Sequence, residues 1–313
     1  MRNQQQAYKR TLPLMGNRFE LSVVANDAVW ADAMIELGIA EIRRIEKLLT
    51  TYSDTSETSL INRHAGIAPV AVSEEVFWLI ERCLRISSIT QGAFDISYGS
   101  VDKKLWNFDT TMKSLPDAAT AKRMVRLINY QHILLDKNER TVFLKEKGMR
   151  IGFGGIGKGY AAEKAKAAMR EAGVENGVVN ASGDMTTWGF QADGKPWTIG
   201  IANPDYADAI FSYMNITNLS VATSGNYEKF VMIGGKRYSH TINPKTGLPV
   251  SGIKSVTIIC PNAELADAMA TPVTIMGVEA GLYLINQMNH IEAIIIDDHN
   301  KIYASKNIRF NSG

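Results

Sequence analysis

The stretch Ile151-Gly152-Phe153-Gly154-Gly155-Ile156-Gly157-Lys158-Gly159-Tyr160-Ala161 limits what this chain can fold into more than any other. Five glycines and a lysine stand between a strand-like apolar approach and an Ala-rich helical run, Tyr160 to Glu171, that stops at Gly173. Glycines at this density let the backbone turn tightly and approach a ligand closely. The N–H groups that open the helix then face outward with the positive end of its dipole, and phosphate is the natural ligand of such a loop. Gly152-x-x-x-x-Gly157-Lys158 also satisfies the front of a P-loop, but Gly159 stands where a Walker loop needs Ser or Thr for magnesium. Close packing at a strand-to-helix junction explains the same glycines with no ligand at all, so other stretches have to decide.

On either side the periodicity is clear. Leu12 to Ala25 alternates apolar and polar residues around Gly16-Asn17, which predicts a hairpin, and Trp30 to Leu49 carries apolar residues at helical spacing. Thr51 to Asn62 is polar and reads as a connecting loop that holds Tyr52, Ser59 and Asn62. Ser73 is the expected N-cap of a helix reaching about Thr90, and further helices are expected over Asp117 to Ile128, Ala263 to Thr271 and Val278 to Met288. Ile133-Leu134-Leu135 and Val142-Phe143-Leu144 form a hairpin pattern, short strands follow between Gly177 and Cys260, and a last hairpin turns through Asp297 to Asn300. Hairpin-spaced strands with segregated helices predict an α+β fold with mixed, largely antiparallel sheets. The chain reads as one domain over residues 1–313, or as two intimately packed subdomains.

Composition excludes several functions. Hydrophobic residues make up 45% and charged ones 21%, as in an ordinary globular protein, and a net charge of +2 leaves no electrostatic footprint for nucleic acid. Cys83 and Cys260 lie far apart in apolar stretches and read as buried thiols. No run approaches the length of a membrane-spanning helix, and Met1 to Arg10 lacks the apolar core of a signal peptide. A cytoplasmic protein or a processed exported one fits equally.

Four further clusters can carry chemistry. Asn180-Ala181-Ser182-Gly183-Asp184 is either a tight turn or part of a site, and Thr223-Ser224-Gly225-Asn226-Tyr227 reads as a hydroxyl-rich turn. His240 ends a strand beside Asn243-Pro244-Lys245-Thr246-Gly247-Leu248-Pro249; a lone histidine is more often structural than catalytic. In Glu264-Leu265-Ala266-Asp267-Ala268-Met269-Ala270-Thr271-Pro272, the residues Asp267 and Thr271 are four apart on a helix. They can offer a carboxylate and a hydroxyl to one hard cation, while Pro272 interrupts the helix beside them.

Taken together, these clusters resemble the FAD:protein FMN transferase, or ApbE, family. The joint pattern includes Gly154 to Ala161, Gly183-Asp184, Thr223 to Glu228, His240 with Asn243-Pro244-x-Thr246-Gly247-x-Pro249, and Ala266-Asp267-Ala268-x-Ala270-Thr271. Leu14-Met15-Gly16, Tyr52-Ser53, Gly92-Ala93-Phe94-Asp95 and Leu105-Trp106 fall in the family's order upstream. The resemblance implies an Mg²⁺-dependent transferase that cleaves the FAD pyrophosphate, attaches FMN to a Thr or Ser hydroxyl of another protein and releases AMP. It implies a metal held by the Gly157 carbonyl, Asp267 and Thr271, with His240 as general base. It implies FAD contacts from Met15, Tyr52, Ala93, Phe94, Asp95, Gly154, Tyr160, Thr223 and Ser224, while the side chain of Lys158 either reaches a phosphate oxygen of FAD or snorkels across the surface. The implied acceptor carries an Asp-x-x-(Ser/Thr)-(Gly/Ser)-Ala-(Ser/Thr) motif on a subunit of a redox pump, in the periplasm or on the outer face of the cytoplasmic membrane. An FAD pyrophosphatase, a non-catalytic FAD carrier and a P-loop NTPase with Ile294 to Asp298 as its Walker B strand are the rival readings.

Overall fold

The computed structural model describes residues 5–202, 210–225 and 230–308. Strands β1 (Gln6–Leu14) and β2 (Asn17–Ala25) make the expected hairpin, with Leu14 paired to Asn17 across the turn. Helix α1 (Ala28–Leu49) follows, capped by Asp27, whose carboxylate accepts the Trp30 N–H. The expected loop then contains a short helix, α2 (Glu57–Arg63), because the Ser56 hydroxyl accepts the Ser59 N–H and nucleates the turn. Strand β3 (Val70–Ala71) leads to α3 (Glu74–Ile89), which Ser73 caps as anticipated. Helix α4 (Ala118–Met124) is shorter than its pattern suggested. Strands β4 (Ile133–Asp136) and β5 (Thr141–Leu144) pair as a hairpin, and α5 (Gly157–Glu171) starts within the glycine-rich loop itself.

The second half is mostly strand. It runs β6 (Gly177–Ala181), β7 (Asp184–Trp188), β8 (Trp197–Ala202), β9 (Ile210–Ile216), β10 (Ser220–Gly225), β11 (Phe230–Ile233), β12 (Lys236–Ser239) and β13 (Ile253–Cys260). Helix α6 (Ala263–Ile285) and strands β14 (Glu292–Asp297) and β15 (Ile302–Ala304) complete it. The main sheet has eight strands in the order β1-β2-β6-β7-β10-β13-β14-β15, and each neighbouring pair is antiparallel. An α+β fold built on antiparallel sheet is therefore what the chain adopts.

Three helices cover this sheet: α1 lies against β1 and β2, α5 against β6 and β7, and α6 against β10, β13 and β14. Side chains alternate between two cores, as the strand period of two requires. Ala222, Ile258 and Ile295 belong to the helix-side core, whereas Val221, Ile259 and Ile294 pack with Ile199 and Ile216 of the β8–β9 hairpin. Strand β13 is consequently buried along its whole length, and both Cys83 and Cys260 are buried.

Helix α6 differs from its expectation in two ways. It does not end at Thr271. The chain continues helically through Pro272, and the break comes at Gly277, whose φ of 86° and ψ of 177° only glycine adopts readily. Proline forgoes one backbone bond, and buried Met269 and Val273 on either side hold the helix to the core regardless. Counted as one element across that break, α6 is long and apolar enough by length and composition to cross a membrane, but Gly277 divides it into two shorter helical pieces, the second starting at Val278 where the sequence places a helix. Its apolarity is explained by Ala266, Met269 and Val273, which are buried in the helix-side core.

Candidate active site

The site begins where the glycine-rich loop is pinned. Asn62 takes both backbone groups of Ile151: its Oδ1 accepts the Ile151 N–H at 2.7 Å, and its Nδ2 donates to the Ile151 carbonyl at 3.0 Å. Gly152 then donates to the Ile96 carbonyl at 2.9 Å. With the approach fixed this way, Gly152 and Gly154 face open space, since a Cβ on either would meet nothing within 4 Å. That space is a cleft of about 530 Å³.

Sequence-distant residues converge on it. Tyr52, Ala93, Phe94 and Asp95 line it together with Gly154, and His240 and Thr271 line the same volume. Tyr52 is 99% exposed at the rim, so a full ring face is available for a planar partner. Asp95 is buried and tied down: Oδ1 accepts the Ser97 N–H and hydroxyl, and Oδ2 accepts the Tyr130 N–H. Burial pushes its carboxyl above the ordinary value, against those hydrogen bonds. His240 is exposed, with its ring edge-on to Phe108 at 6.5 Å between centroids. Tyr98, Lys103 and Ile275 also line the cleft, and no motif in the sequence singled them out.

Beside this cleft the start of α5 meets α6. The Gly159 N–H, expected to point at a ligand, instead donates to Asp267 Oδ2 at 2.8 Å, and the Gly157 N–H goes to the Phe153 carbonyl. An internal carboxylate thus faces the positive end of the α5 dipole. Lys158 Nζ lies 2.5 Å from Asp184 Oδ2 and 3.4 Å from Asp267 Oδ1. Burial lowers the affinity of that lysine for its proton, but Asp267 and Asp184 outweigh it and hold the ammonium above its ordinary value. Burial, reinforced by the Asp267 charge, pushes the Asp184 carboxyl up to about 6. Asp184 was not singled out as a site residue. Its signal is the Gly183-Asp184 pair of the joint family pattern, and the fold supplies the reason: Ser182 and Gly183 both take positive φ and the next side chain, Asp184, turns into the protein.

The remaining expected contacts lie around the loop. Met15 sits in the β1–β2 turn with φ 51°, its carbonyl accepting from Asn17 Nδ2 at 2.8 Å, and its Cε lies 3.6 Å from where a Cβ on Gly157 would stand. Thr223 and Ser224 belong to strand β10, not to a turn. The Thr223 N–H donates to Asp184 Oδ1 at 3.1 Å, and its hydroxyl lies 2.9 Å from that of Thr257. Asn226, Tyr227 and Glu228 fall outside the described residues.

Tyr160 points elsewhere. Its hydroxyl donates to Glu75 Oε1 at 2.6 Å, in a separate charged cavity that also holds Arg82 and Glu264. The side chain does not line the cleft, so the structure assigns it to the junction of α3 with α5. Glu75 there also accepts two hydrogen bonds from Arg44, at 2.6 and 2.9 Å, and Arg44 holds its carboxyl down at about 2. A carboxylate whose pKa is lower folded than unfolded stabilises the protein above its unfolded value and loses that contribution as it protonates. Acid melts should therefore show stability falling as pH drops from about 4.5 toward about 2. Glu75→Gln should flatten that decline, and an unchanged profile would remove Glu75 from the account.

The geometry disposes of the Walker reading. A Cβ at position 159 would lie 2.1 Å from the Ala263 carbonyl oxygen, so no Ser or Thr fits there, and β14, the proposed Walker B strand, is antiparallel to both its neighbours. A sequence profile of the ApbE family matches residues 15–295. The chain belongs to the ApbE family. A protein of Klebsiella pneumoniae (strain 342) named FAD:protein FMN transferase is 33% identical over 97% of this chain and 94% of its own length. The crystal structure of the ApbE protein of Thermotoga maritima superposes with a TM-score of 0.85 at 27% identity, covering 96% of this chain and 97% of that one. The flavin transferase ApbE of Vibrio cholerae gives 0.83 at 25% identity, with 96% and 98% covered. The ApbE fold of this chain thus extends over nearly its whole length.

Proposed function

We propose that this chain is an FAD:protein FMN transferase, cleaving the FAD pyrophosphate, attaching FMN through a phosphoester to a Ser or Thr hydroxyl of an acceptor protein and releasing AMP. One observation carries the reading: in a chain of this family, His240, Thr271, Asp95 and Gly154 line one cleft, and the oxygen-rich Asp184–Asp267 site adjoins the loop that ends it. Attack by an alcohol on phosphorus needs a proton acceptor for the hydroxyl. His240, exposed in the cleft, supplies an imidazole for it. Tyr52 offers its face to a flavin or adenine ring, and the open side of Gly152 and Gly154 lets a phosphate approach the backbone.

The residues present suit Mg²⁺. Asp267 and Asp184 are buried carboxylates that share a single ammonium, so their charge is not balanced by protein alone. Asp267 with the Thr271 hydroxyl and the Gly157 carbonyl makes the all-oxygen donor set of a hard cation, with Asp184 beside it holding Lys158. Among the described residues no cluster of three His, Cys, Asp or Glu offers a different metal centre. When bound, the cation neutralises pyrophosphate charge.

The test is mass spectrometry of a peptide bearing Asp-x-x-(Ser/Thr)-(Gly/Ser)-Ala-(Ser/Thr) after incubation with the protein, FAD and Mg²⁺. A gain of one FMN group, absent with EDTA, is the expected result; free AMP and FMN with an unmodified peptide would make the chain a pyrophosphatase. His240→Gln should slow the transfer about 10²–10⁴-fold while FAD titration by fluorescence still shows binding. A variant as fast as the parent would end the general-base role.

A further inference from the structure

Asp184 and Asp267 come from β7 and α6, 83 residues apart by number (267 − 184), and close on one cation that belongs to the chain. Each carboxylate has one oxygen held by backbone: Asp184 Oδ1 by the Thr223 N–H, Asp267 Oδ2 by the Gly159 N–H. The other oxygen of each turns to Lys158 Nζ, at 2.5 and 3.4 Å. The contact is unequal, close on Asp184 and loose on Asp267. Both acids are more than nine-tenths buried, and paired carboxylates in such a place need positive charge to stay ionised. Lys158 lies in the first turn of α5 beside the Gly159 N–H that Asp267 holds, so its backbone is fixed by the helix while a flexible stem lets the ammonium shift.

We propose that Lys158 is a tethered counter-ion that competes with a divalent cation for Asp267, holding the metal affinity of the site down until an anionic diphosphate arrives. The inference rests on the reading of Asp267 as a metal ligand. Its logic is charge counting. Two carboxylates and one ammonium sum to −1. Adding a divalent cation brings the sum to +1, which is unfavourable in a buried site until a diphosphate offsets it. Lys158 thereby couples metal binding to dinucleotide binding, and the ammonium moves wholly onto Asp184 when the metal takes Asp267.

The experiment titrates the full chain with Mn²⁺ alone, following the free-ion EPR signal, in the parent, Lys158→Met and Lys158→Arg. Lys158→Met should bind Mn²⁺ at least about tenfold more tightly, because a like charge a few ångströms away has gone. Lys158→Arg, which keeps the charge, should stay close to the parent. Metal-free Lys158→Met should also melt lower than the parent, with Mn²⁺ closing the gap. Unchanged or weaker Mn²⁺ binding by Lys158→Met overturns the proposal, as does an absence of binding in all three proteins. The peptide assay with EDTA, run on the same preparations, separates the two failures: transfer that still needs a divalent cation leaves the transferase reading standing and removes only the competition.

Discussion

Asp267→Asn should lower FMN transfer by at least about 10²–10³-fold and remove its response to added Mg²⁺, with little change in thermal stability. The asymmetry follows from what Asp267 touches. One oxygen accepts the Gly159 N–H at the start of α5, and the other faces Lys158 at 3.4 Å. An asparagine keeps one acceptor, so it can still close the α5 N-terminus, but its NH₂ then faces the ammonium. The lost charge-assisted bond costs about 1.5–3 kcal/mol. Against that, the mutual repulsion of Asp184 and Asp267 disappears, and Lys158 is left balanced by Asp184 alone at 2.5 Å. Stability is therefore nearly conserved while the anionic ligand is gone. The checks are the rate of peptide mass gain with and without EDTA and a melting curve. Transfer within about threefold of the parent, with the same EDTA sensitivity, would remove Asp267 from the metal site.

What the sequence revealed of this site, and what it hid, divides along a physical line. Elements with their own local signals were legible: the β1–β2 hairpin, α3 with Ser73 as its cap, the β4–β5 hairpin and the buried cysteines all occur where patterning put them. The antiparallel sheet followed from strand spacing. The convergence of Tyr52, Phe94, His240 and Thr271 on one cleft came from the family resemblance, since no periodicity relates positions so far apart. What failed was decided by tertiary contact. Pro272 reads locally as a helix terminator, yet packing carries α6 on to Gly277. Tyr160 stands in the motif, but Glu75 claims its hydroxyl on the far side of α5. The N–H groups of the glycine-rich loop promised an anion from outside, and the nearest one is the chain's own Asp267. Asp184 stands in the family pattern without a role, because a tight turn explains the stretch locally and only the fold brings its carboxylate to Lys158.

The glycines of the loop, nearly interchangeable by composition, should separate sharply on replacement by alanine. Gly159 is within α5, so its backbone conformation suits any residue, and alanine there is ordinarily favourable by about 1 kcal/mol. Contact reverses the sign. A Cβ would stand 2.1 Å from the Ala263 carbonyl oxygen, 2.8 Å from its carbon and 2.6 Å from Asp267 Cβ. Two of those atoms are backbone in the first turn of α6, which its Asn262 cap and the buried Ala266 and Met269 hold against the sheet. Relief requires α5 and α6 to part, and overpacking of this kind costs about 3 kcal/mol or more. For a chain of this size that corresponds to a fall in Tm of roughly 5–10 °C. The same displacement lengthens the Gly159–Asp267 bond and loosens the metal ligand, so activity should fall with stability. Gly154→Ala is the counterpart: its Cβ meets nothing within 4 Å and projects into the cleft. It should leave the melting temperature unchanged and weaken FAD binding, read as a rightward shift of the fluorescence titration. If Gly159→Ala melts within about 1 °C of the parent, the close approach of α5 to α6 is not what positions Asp267, and the account of the site loses its structural basis.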